Sequence, residues 1–260
     1  MSLIIFEQDG SVGNITLNNP DQLNAMTPPM AEELAALVPQ INGNGEIRAV
    51  ILTGAGRAFS AGGNLQFILD HTGRDPRENK KKMIEFYSKF LSLRNIEVPV
   101  IAAINGHAMG AGICVAMACD IRLAAADAKM GVNFAKIGLS SGMGTLHFLT
   151  RLVGPSASAD LLFTGRTLAA DEAYRLGLVN RVVPTEKLKD EAKALAKEIA
   201  QNAPIPLKIM KKGIQRAPLL SLEEVFDYES GGQAQTFNTD DLKEGVKAVQ
   251  EKRPPVFRGR

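Results

Sequence analysis

The sequence predicts an α/β fold with a mostly parallel sheet, followed by a helical C-terminal region. Short apolar runs at residues 49–53 and 98–104 have the composition of buried strands, and helical patterns separate them. Strands that alternate with helices favour a parallel sheet with crossover helices. After Gly142 the patterns are almost entirely helical. We therefore expect an α/β core over residues 1–200 and a helical region over residues 201–260.

The N-terminal part predicts a hairpin and then an amphipathic helix. Residues 2–8 and 12–17 are strand-like, and an Asp-Gly dipeptide between them is typical of a tight turn. Thr27 followed by Pro28 has the pattern of a helix N-cap with proline at the first helical position. The apolar face of this helix is expected to carry five residues: Met30, Leu34, Leu37, Val38 and Ile41.

The later elements follow from apolar spacing and from glycine and proline. A helix of small residues is predicted to begin near Gly110, and residues 121–124 form another strand. A Gly-Pro pair at 154–155 is expected to separate two helices. Residues 221–224 have the pattern of a capping box at a helix start. Three apolar residues mark the last helix: Leu242, Val246 and Val249.

Composition excludes several classes of function. With 30 basic and 28 acidic residues the net charge is +2, so no global field favours nucleic acid or an anionic membrane. The lysine run at 80–82 is expected to be a solvated helix face. Cys114 and Cys119 lie in an apolar stretch, which predicts two buried free thiols in a reducing compartment and no zinc site.

Targeting and membrane signals are also weak. The N-terminus has no basic segment before its apolar run, so we expect no secretory signal and a cytoplasmic protein. Residues 99–119 contain no charged residue and are long enough to span a bilayer. Glycine and polar residues interrupt this stretch, however, and a strand, a turn and a buried helix explain it better.

Two glycine-rich segments, residues 57–65 and 105–114, each follow a predicted strand and lead toward a helix. Glycine lets backbone N–H groups approach a ligand closely. A helix N-terminus adds unpaired N–H groups and a partial positive charge. Two such turns side by side would form a preorganised anion site, and the alternative is a pair of packing turns.

Three segments carry a specific resemblance. Residues 58–65 are A-F-S-A-G-G-N-L, residues 99–112 are P-V-I-A-A-I-N-G-H-A-M-G-A-G, and residues 119–122 are C-D-I-R. They resemble the A-F-x-A-G-x-D/N-L, P-V-I-A-A-V-N-G-x-A-x-G-G-G and C-D-I-R segments of the enoyl-CoA hydratase/isomerase (crotonase) family. Further matches extend the resemblance along nearly the whole chain: 161–165, 170–173, 177–179 and 244–257.

The resemblance implies a crotonase-like spiral of ββα units around two nearly perpendicular sheets. It also implies an acyl-CoA substrate, no cofactor besides the CoA of the thioester, and homotrimers or dimers of trimers built through the C-terminal helices. The backbone N–H groups of Gly63 and Ala111 match the family's oxyanion donors. Ala61 and Leu65 match contacts to the adenine and pantetheine of CoA, and Ala25 matches another contact near the pantetheine arm.

The chain differs from the family at the positions whose carboxylates determine the reaction. Hydratases carry one glutamate two residues after the glycine run and a second in an F-G-x-P-E stretch. Here those places hold Cys114 and Phe134. A subgroup that isomerises ring-derived thioesters carries an aspartate where this chain has Gly142. The resemblance therefore implies a retained oxyanion site without the carboxylates that activate water, and so an isomerase, a decarboxylase or a divergent hydratase.

Other side chains could replace the two missing glutamates as acids. His71, Asp70 and Glu78 fall on the variable segment after the first turn, from which one side chain could reach the acyl group. His107 and His147 are expected to be structural. Cys114 is expected to be an inert thiol in an apolar helix, since burial raises a thiol's pKa. Two further residues could orient water but cannot act as strong bases: Ser140 and Ser141.

Two alternatives to an enzyme remain open at this stage. One is a non-catalytic acyl-CoA-binding subunit, which the missing glutamates favour. The other is a dinucleotide-binding protein, because Gly110 and Gly112 begin a G-x-G run. The dinucleotide pattern fails on two counts, since five residues separate this run from its strand and Val115 occupies the place of the third glycine.

Overall fold

The computed structural model describes residues 2–260, which form ten strands and ten α-helices. The strands are β1 Ile4–Asp9, β2 Val12–Leu17, β3 Ala49–Gly54, β4 Ala58–Ser60, β5 Val100–Ile104, β6 His107–Met109, β7 Ile121–Ala125, β8 Lys129–Gly131, β9 Leu168–Ala169 and β10 Arg181–Val183. The helices are α1 Pro28–Gly43, α2 Leu65–Leu69, α3 Pro76–Leu91, α4 Ala111–Ala118, α5 Thr145–Thr164, α6 Ala170–Arg175, α7 Leu188–Ala200, α8 Pro204–Arg216, α9 Leu222–Thr236 and α10 Asp240–Glu251.

The strands form two sheets. The larger has the order β1-β2-β3-β5-β7-β10, and the smaller has the order β4-β6-β8-β9. All pairs within them are parallel except β1 with β2 and β8 with β9. The predicted α/β fold with a mostly parallel sheet is confirmed.

The predicted N-terminal elements are confirmed. Strands β1 and β2 pair antiparallel across a turn in which Gly10 has φ +58°. The Thr27 side chain accepts a hydrogen bond from the Met30 amide, and Pro28 occupies the first position of α1. All five apolar residues predicted for this helix are buried, and α1 lies against α3 and the edge strand β1.

The second sheet is the main feature that residue patterns missed. Its strands are only two or three residues long, and β4 and β6 lie inside the two segments predicted as glycine-rich turns. A run of three residues is too short to show the alternation that predicts a strand. The parallel pairing of β4 with β6 brings the ends of the two segments together, and this positions the site described below.

Glycine breaks and side-chain caps shape the C-terminal half as expected. Gly154 has the non-helical angles φ 77° and ψ 166° and divides α5 into two helices ahead of Pro155. Ser221 and Glu224 form the predicted capping box at the start of α9. Among the helices of residues 2–260, none has an apolar stretch long enough to span a bilayer.

A buried ion pair ties α8 to the core. The Lys211 ammonium lies 2.8 Å from Asp120 Oδ2 and donates to the Val98 carbonyl at 2.8 Å. The same Asp120 oxygen accepts from the Val100 amide at 2.7 Å. Only 5% of the Lys211 side chain and 24% of the Asp120 side chain are exposed, so solvent screens this pair weakly.

Candidate active site

The first turn connects β4 to α2 and holds Gly63. Three amides around it donate hydrogen bonds within the protein: Ala61 N to Leu23 O (2.8 Å), Gly62 N to Ser60 Oγ (3.2 Å) and Asn64 N to Met26 O (3.0 Å). The Gly63 amide donates to no acceptor within residues 2–260. Buried backbone donors are nearly always paired, so an unpaired amide between paired neighbours is available to a ligand.

The second turn connects β6 to α4 and holds Ala111. Gly110, at φ 51° and ψ −119°, is the N-cap of α4, and its amide donates to Gly131 O at 2.8 Å. Ala111 is the first residue of the helix, so its N–H has no partner in the preceding turn. No other acceptor within residues 2–260 takes it up. The partial positive charge of the helix N-terminus lies at this amide.

Glycine packing holds the two turns in contact. A Cβ added to Gly62 would lie 2.6 Å from Met109 O and 3.3 Å from Ala111 N. Gly62 also has φ +97°, a conformation that side chains disfavour. On the opposite side of the contact, a Cβ added to Gly112 would lie 2.5 Å from Ser60 O. The two turns therefore lie side by side at backbone contact distance, which only glycine allows.

A buried asparagine, which sequence reasoning missed, fixes the first turn. Asn24 is fully buried, and its Nδ2 donates to Ala55 O at 2.9 Å and to Ala58 O at 2.8 Å. The Ser60 hydroxyl donates to Asn24 O at 2.8 Å. Asn24 has φ +55°, a region that asparagine enters more readily than most residues. That tolerance was the one signal in the sequence for its role.

The three residues that the resemblance assigns to CoA border the first turn. Ala25 is half-buried and precedes Met26, which forms a parallel bridge with Gly63. Ala61 is exposed, and Leu65, the first residue of α2, is 66% exposed. The structure brings all three to the surface around Gly63.

The place of the first family glutamate is apolar and inert. Cys114 is fully buried in α4, where its thiol donates to Gly110 O at 3.1 Å and lies 2.9 Å from Thr145 Oγ1. Burial raises the pKa of this thiol to about 12, although the Thr145 hydrogen bond opposes the shift. The thiol therefore stays protonated through neutral pH and cannot serve as a general base.

At the other two positions that differ from the family pattern, 134 and 142, aromatic rings lie beside the site. A Cβ on Gly110 would lie 3.9 Å from Cε1 of Phe134, so this ring borders the second turn. A Cβ on Gly142 would lie 2.5 Å from the hydroxyl oxygen of Tyr87. Sequence reasoning missed Tyr87, because it lies on α3, 55 positions away along the chain, and no motif links it to Gly142.

The candidate acids lie beside the first turn without contacting it. The His71 Nδ1 donates to Phe67 O at 2.6 Å, and its Nε2 is buried without a partner in residues 2–260. Asp70 is exposed and accepts from the Gln66 side chain at 2.8 Å. Glu78 is exposed and ion-paired with a lysine, whose hydrogen bond and charge lower the pKa of the carboxyl.

The remaining polar candidates are similarly removed from the two amides. His107 is exposed on β6. His147 lies on α5, where burial and then the charge of Arg151 lower its pKa. Ser140 is exposed and Ser141 is half-buried, both in the loop before α5. None of these side chains hydrogen-bonds to either turn within residues 2–260.

Comparison with known proteins agrees with the fold. The family model described as enoyl-CoA hydratase/isomerase matches residues 7–260. The short-chain-enoyl-CoA hydratase of Clostridium acetobutylicum is 37% identical over 251 residues, which cover 96% of this chain and 95% of the relative. The crotonyl-CoA hydratase of Syntrophomonas wolfei is 33% identical over 255 residues, which cover 98% and 97%.

A solved structure agrees with the same family and fold. The crystal structure of an enoyl-CoA hydratase from Bacillus anthracis superposes with a TM-score of 0.93 at 33% identity, covering 99% of this chain and all of the other. The crotonase fold with a helical C-terminal region, predicted from the resemblance, is confirmed. The chain belongs to the enoyl-CoA hydratase/isomerase family, whose members process acyl-CoA thioesters.

Proposed function

We propose that this protein binds an acyl-CoA and stabilises its enolate between the backbone amides of Gly63 and Ala111. The observation that carries the proposal is that neither amide has a partner within residues 2–260: Gly63 lies between amides that are paired, and Ala111 lies at the N-terminus of α4, where the first amides are free. Every neighbouring amide in the first turn is used within the protein, and the two turns lie in backbone contact. Donors of this kind, fixed before the reaction, need no reorganisation when charge develops on the thioester oxygen.

Stabilisation of an enolate by two such amides is large enough to contribute to catalysis. One preorganised donor at a developing oxyanion typically contributes about 3 to 4 kcal/mol to the transition state. The N-terminus of α4 adds a positive field at Ala111. Two apolar residues border the site, the buried Cys114 and the half-buried Phe134, and low polarity strengthens such interactions.

We propose that Ala25, Ala61 and Leu65 contact the CoA portion of the substrate. Their exposure around the first turn supports a binding surface for a long, flexible ligand arm. The substrate then brings its own CoA, and the proposed chemistry uses no other cofactor.

We expect hydration to be slow in this protein. Positioned acid and base groups contribute about 10² to 10⁴ in rate, and both places that hold glutamate in family hydratases lack a carboxylate here. The reactions that remain are those in which a carbanion forms without a strong base at residues 114 and 134. Decarboxylation of a malonyl-type thioester belongs to this class, because loss of CO2 leaves the carbanion without removal of a proton. Double-bond isomerisation also remains, with the α-proton taken by a base at another position or by water.

The test is a panel of short acyl-CoA thioesters, with turnover and binding measured on the same preparation. The panel contains crotonyl-CoA for hydration, 3-butenoyl-CoA for isomerisation and methylmalonyl-CoA for decarboxylation. We expect turnover of at least one of the last two, and crotonyl-CoA hydration at least about 100-fold slower than by a glutamate-bearing relative. The matched control replaces each thioester by its free acid, which lacks the CoA contacts.

Two outcomes would contradict the proposal. Hydration as fast as in the glutamate-bearing relative would show that another group activates water. Micromolar binding without turnover of any thioester would favour the second candidate function, a non-catalytic acyl-CoA-binding subunit, which the loss of both carboxylates supports.

We also propose that residues 201–260 assemble the protein into a homotrimer or a dimer of trimers. Helices α8 and α9 border an apolar groove of about 520 Å³, and large apolar side chains are exposed along these helices and α10. Six of them are more than half exposed: Met210, Ile214, Leu222, Phe226, Val246 and Val249. Exposed apolar surface of this extent is typical of an interface.

The mass in solution tests this assembly. Light scattering on the purified protein is expected to give three or six times the chain mass of 27.9 kDa. Ile214→Glu, at a position 74% exposed in α8, should lower that mass. The control is Phe163→Glu, at an 81% exposed position outside residues 201–260. A monomeric wild type, or dissociation by the Phe163 change alone, would contradict the proposal.

A further inference from the structure

The Tyr87 hydroxyl is a polar group at the site with no use inside the protein. It has no hydrogen-bond partner within residues 2–260, although the side chain is half-buried. Its oxygen is not among the buried side-chain atoms without a partner, which within residues 2–260 are His71 Nε2 and Asn79 Oδ1, so the hydroxyl faces open space. Because nothing in the chain accepts or donates to this group, it remains available to a molecule bound in the site.

Helix α3 fixes the position of the hydroxyl. Phe86 and Phe90, on either side of Tyr87 in the helix surface, are buried and pack edge to face with ring centroids 5.1 Å apart. The Tyr87 ring lies 6.4 Å from that of Phe86. The helix is therefore anchored in the core, and the phenol projects toward the loop before α5.

The glycine at position 142 makes room for the hydroxyl. A Cβ there would lie 2.5 Å from the Tyr87 oxygen and 3.0 Å from Cζ, so any larger residue would displace the phenol. The other polar atoms at this point are already paired, since Thr145 Oγ1 donates to Gly142 O and lies 2.9 Å from the Cys114 thiol. Tyr87 thus stands beside the position of the first family glutamate.

We propose that Tyr87 is the proton donor of this site, acting in place of the missing carboxylates. The inference rests on the proposed function, because it requires an enolate held by Gly63 and Ala111. In the step, the Tyr87 O–H bond breaks and a C–H bond forms at the enolate carbon. The electron pair on the thioester oxygen returns to the carbonyl, and the phenolate regains its proton from solvent water.

The protonation state of the Tyr87 phenol is the one that a proton donor needs. Burial, and secondly the neighbouring Cys114, raise the pKa of Tyr87 above its ordinary value. The group therefore stays protonated throughout the neutral range and is ready to give a proton. An enolate carbon is far more basic than a phenolate, so the transfer is downhill.

The experiment is Tyr87→Phe, which removes one oxygen and leaves the ring, assayed with whichever thioester of the panel the wild type turns over. We expect kcat to fall about 100-fold with KM within twofold, because positioned acids contribute about 10² to 10⁴. The solvent deuterium isotope effect on kcat should also rise when the donor is lost. Tyr174→Phe, at an exposed position on α6, is the matched control and should match the wild type.

A second variant tests the geometry. Gly142→Ala should displace the hydroxyl and lower kcat in the wild-type background, yet add little to Tyr87→Phe. A Tyr87→Phe enzyme with kcat within threefold of wild type would overturn the inference. A change in KM alone would also overturn it, and so would a fall in kcat no larger than that of Tyr174→Phe. In each of these cases the wild type is active, so the proposed function would stand. A wild type that turns over no thioester would reject both.

Discussion

Ala111→Pro is expected to lower kcat by about 100- to 1,000-fold, the effect found when one oxyanion donor is removed. Proline lacks the backbone N–H but is well tolerated at the first position of a helix, which Ala111 occupies in α4. The Ala111 amide donates to no acceptor within residues 2–260, so the change breaks no hydrogen bond of the fold. Steady-state kinetics with the preferred thioester measures the loss.

The control keeps the amide and removes the methyl group. Ala111→Gly should retain kcat within a fewfold of wild type, because glycine carries the same N–H. Thermal unfolding of both variants should stay close to wild type, which separates loss of the donor from loss of the fold. An Ala111→Pro enzyme as active as wild type would exclude this amide from the proposed oxyanion site.

Loss of the Lys211–Asp120 ion pair is expected to have the second large effect, on the stability of the fold. Lys211→Met is expected to lower the free energy of unfolding by about 3 kcal/mol, because removal of one partner leaves the other charge buried. Asp120 would lose the ammonium 2.8 Å from its carboxylate, and the Val98 carbonyl would lose its donor. Methionine has nearly the length of lysine, so packing changes little. Denaturant unfolding at a fixed protein concentration measures the difference.

An exposed lysine on the same helix provides the control. Lys212 lies 3.6 Å from Glu97, and 59% of its side chain is exposed. Lys212→Met should change the free energy of unfolding by less than about 0.5 kcal/mol, as for most surface pairs. Equal effects of the two substitutions would show that the Lys211 pair does not hold α8 to the core.

Local patterns were enough to predict much of the larger sheet. The hairpin, α1 and strands β3, β5 and β7 have apolar runs or caps within a few residues, and such signals depend on neighbours in sequence. The short strands β4, β6, β8 and β9 have no such signal. They exist because the larger fold brings them together, and a three-residue segment does not encode its partner.

The two turns of the candidate site were predicted from their glycines, whereas Gly63 and Ala111 were assigned as donors through the resemblance and stay a prediction. Gly63 and Ala111 act in the proposal through backbone amides, and a backbone amide leaves no mark on the residue type beyond small size. Asn24 and Tyr87 were missed for a different reason. The acceptors of the Asn24 amide and the glycine beside Tyr87 lie 31 or more positions away along the chain, so only the folded structure joins them.

The backbone contact between the turns separates two tasks in this protein. The glycines at positions 62 and 112 fix where the two amides lie, and no side chain of residues 114, 134 or 142 takes part in that contact. Exchange of the residues at those three places therefore leaves this glycine contact itself unchanged, although Cys114 also donates to Gly110 O in the second turn. The electrostatic centre of the proposed site is made of main chain, so we expect changes in the surrounding side chains to alter the chemistry while the two donors remain.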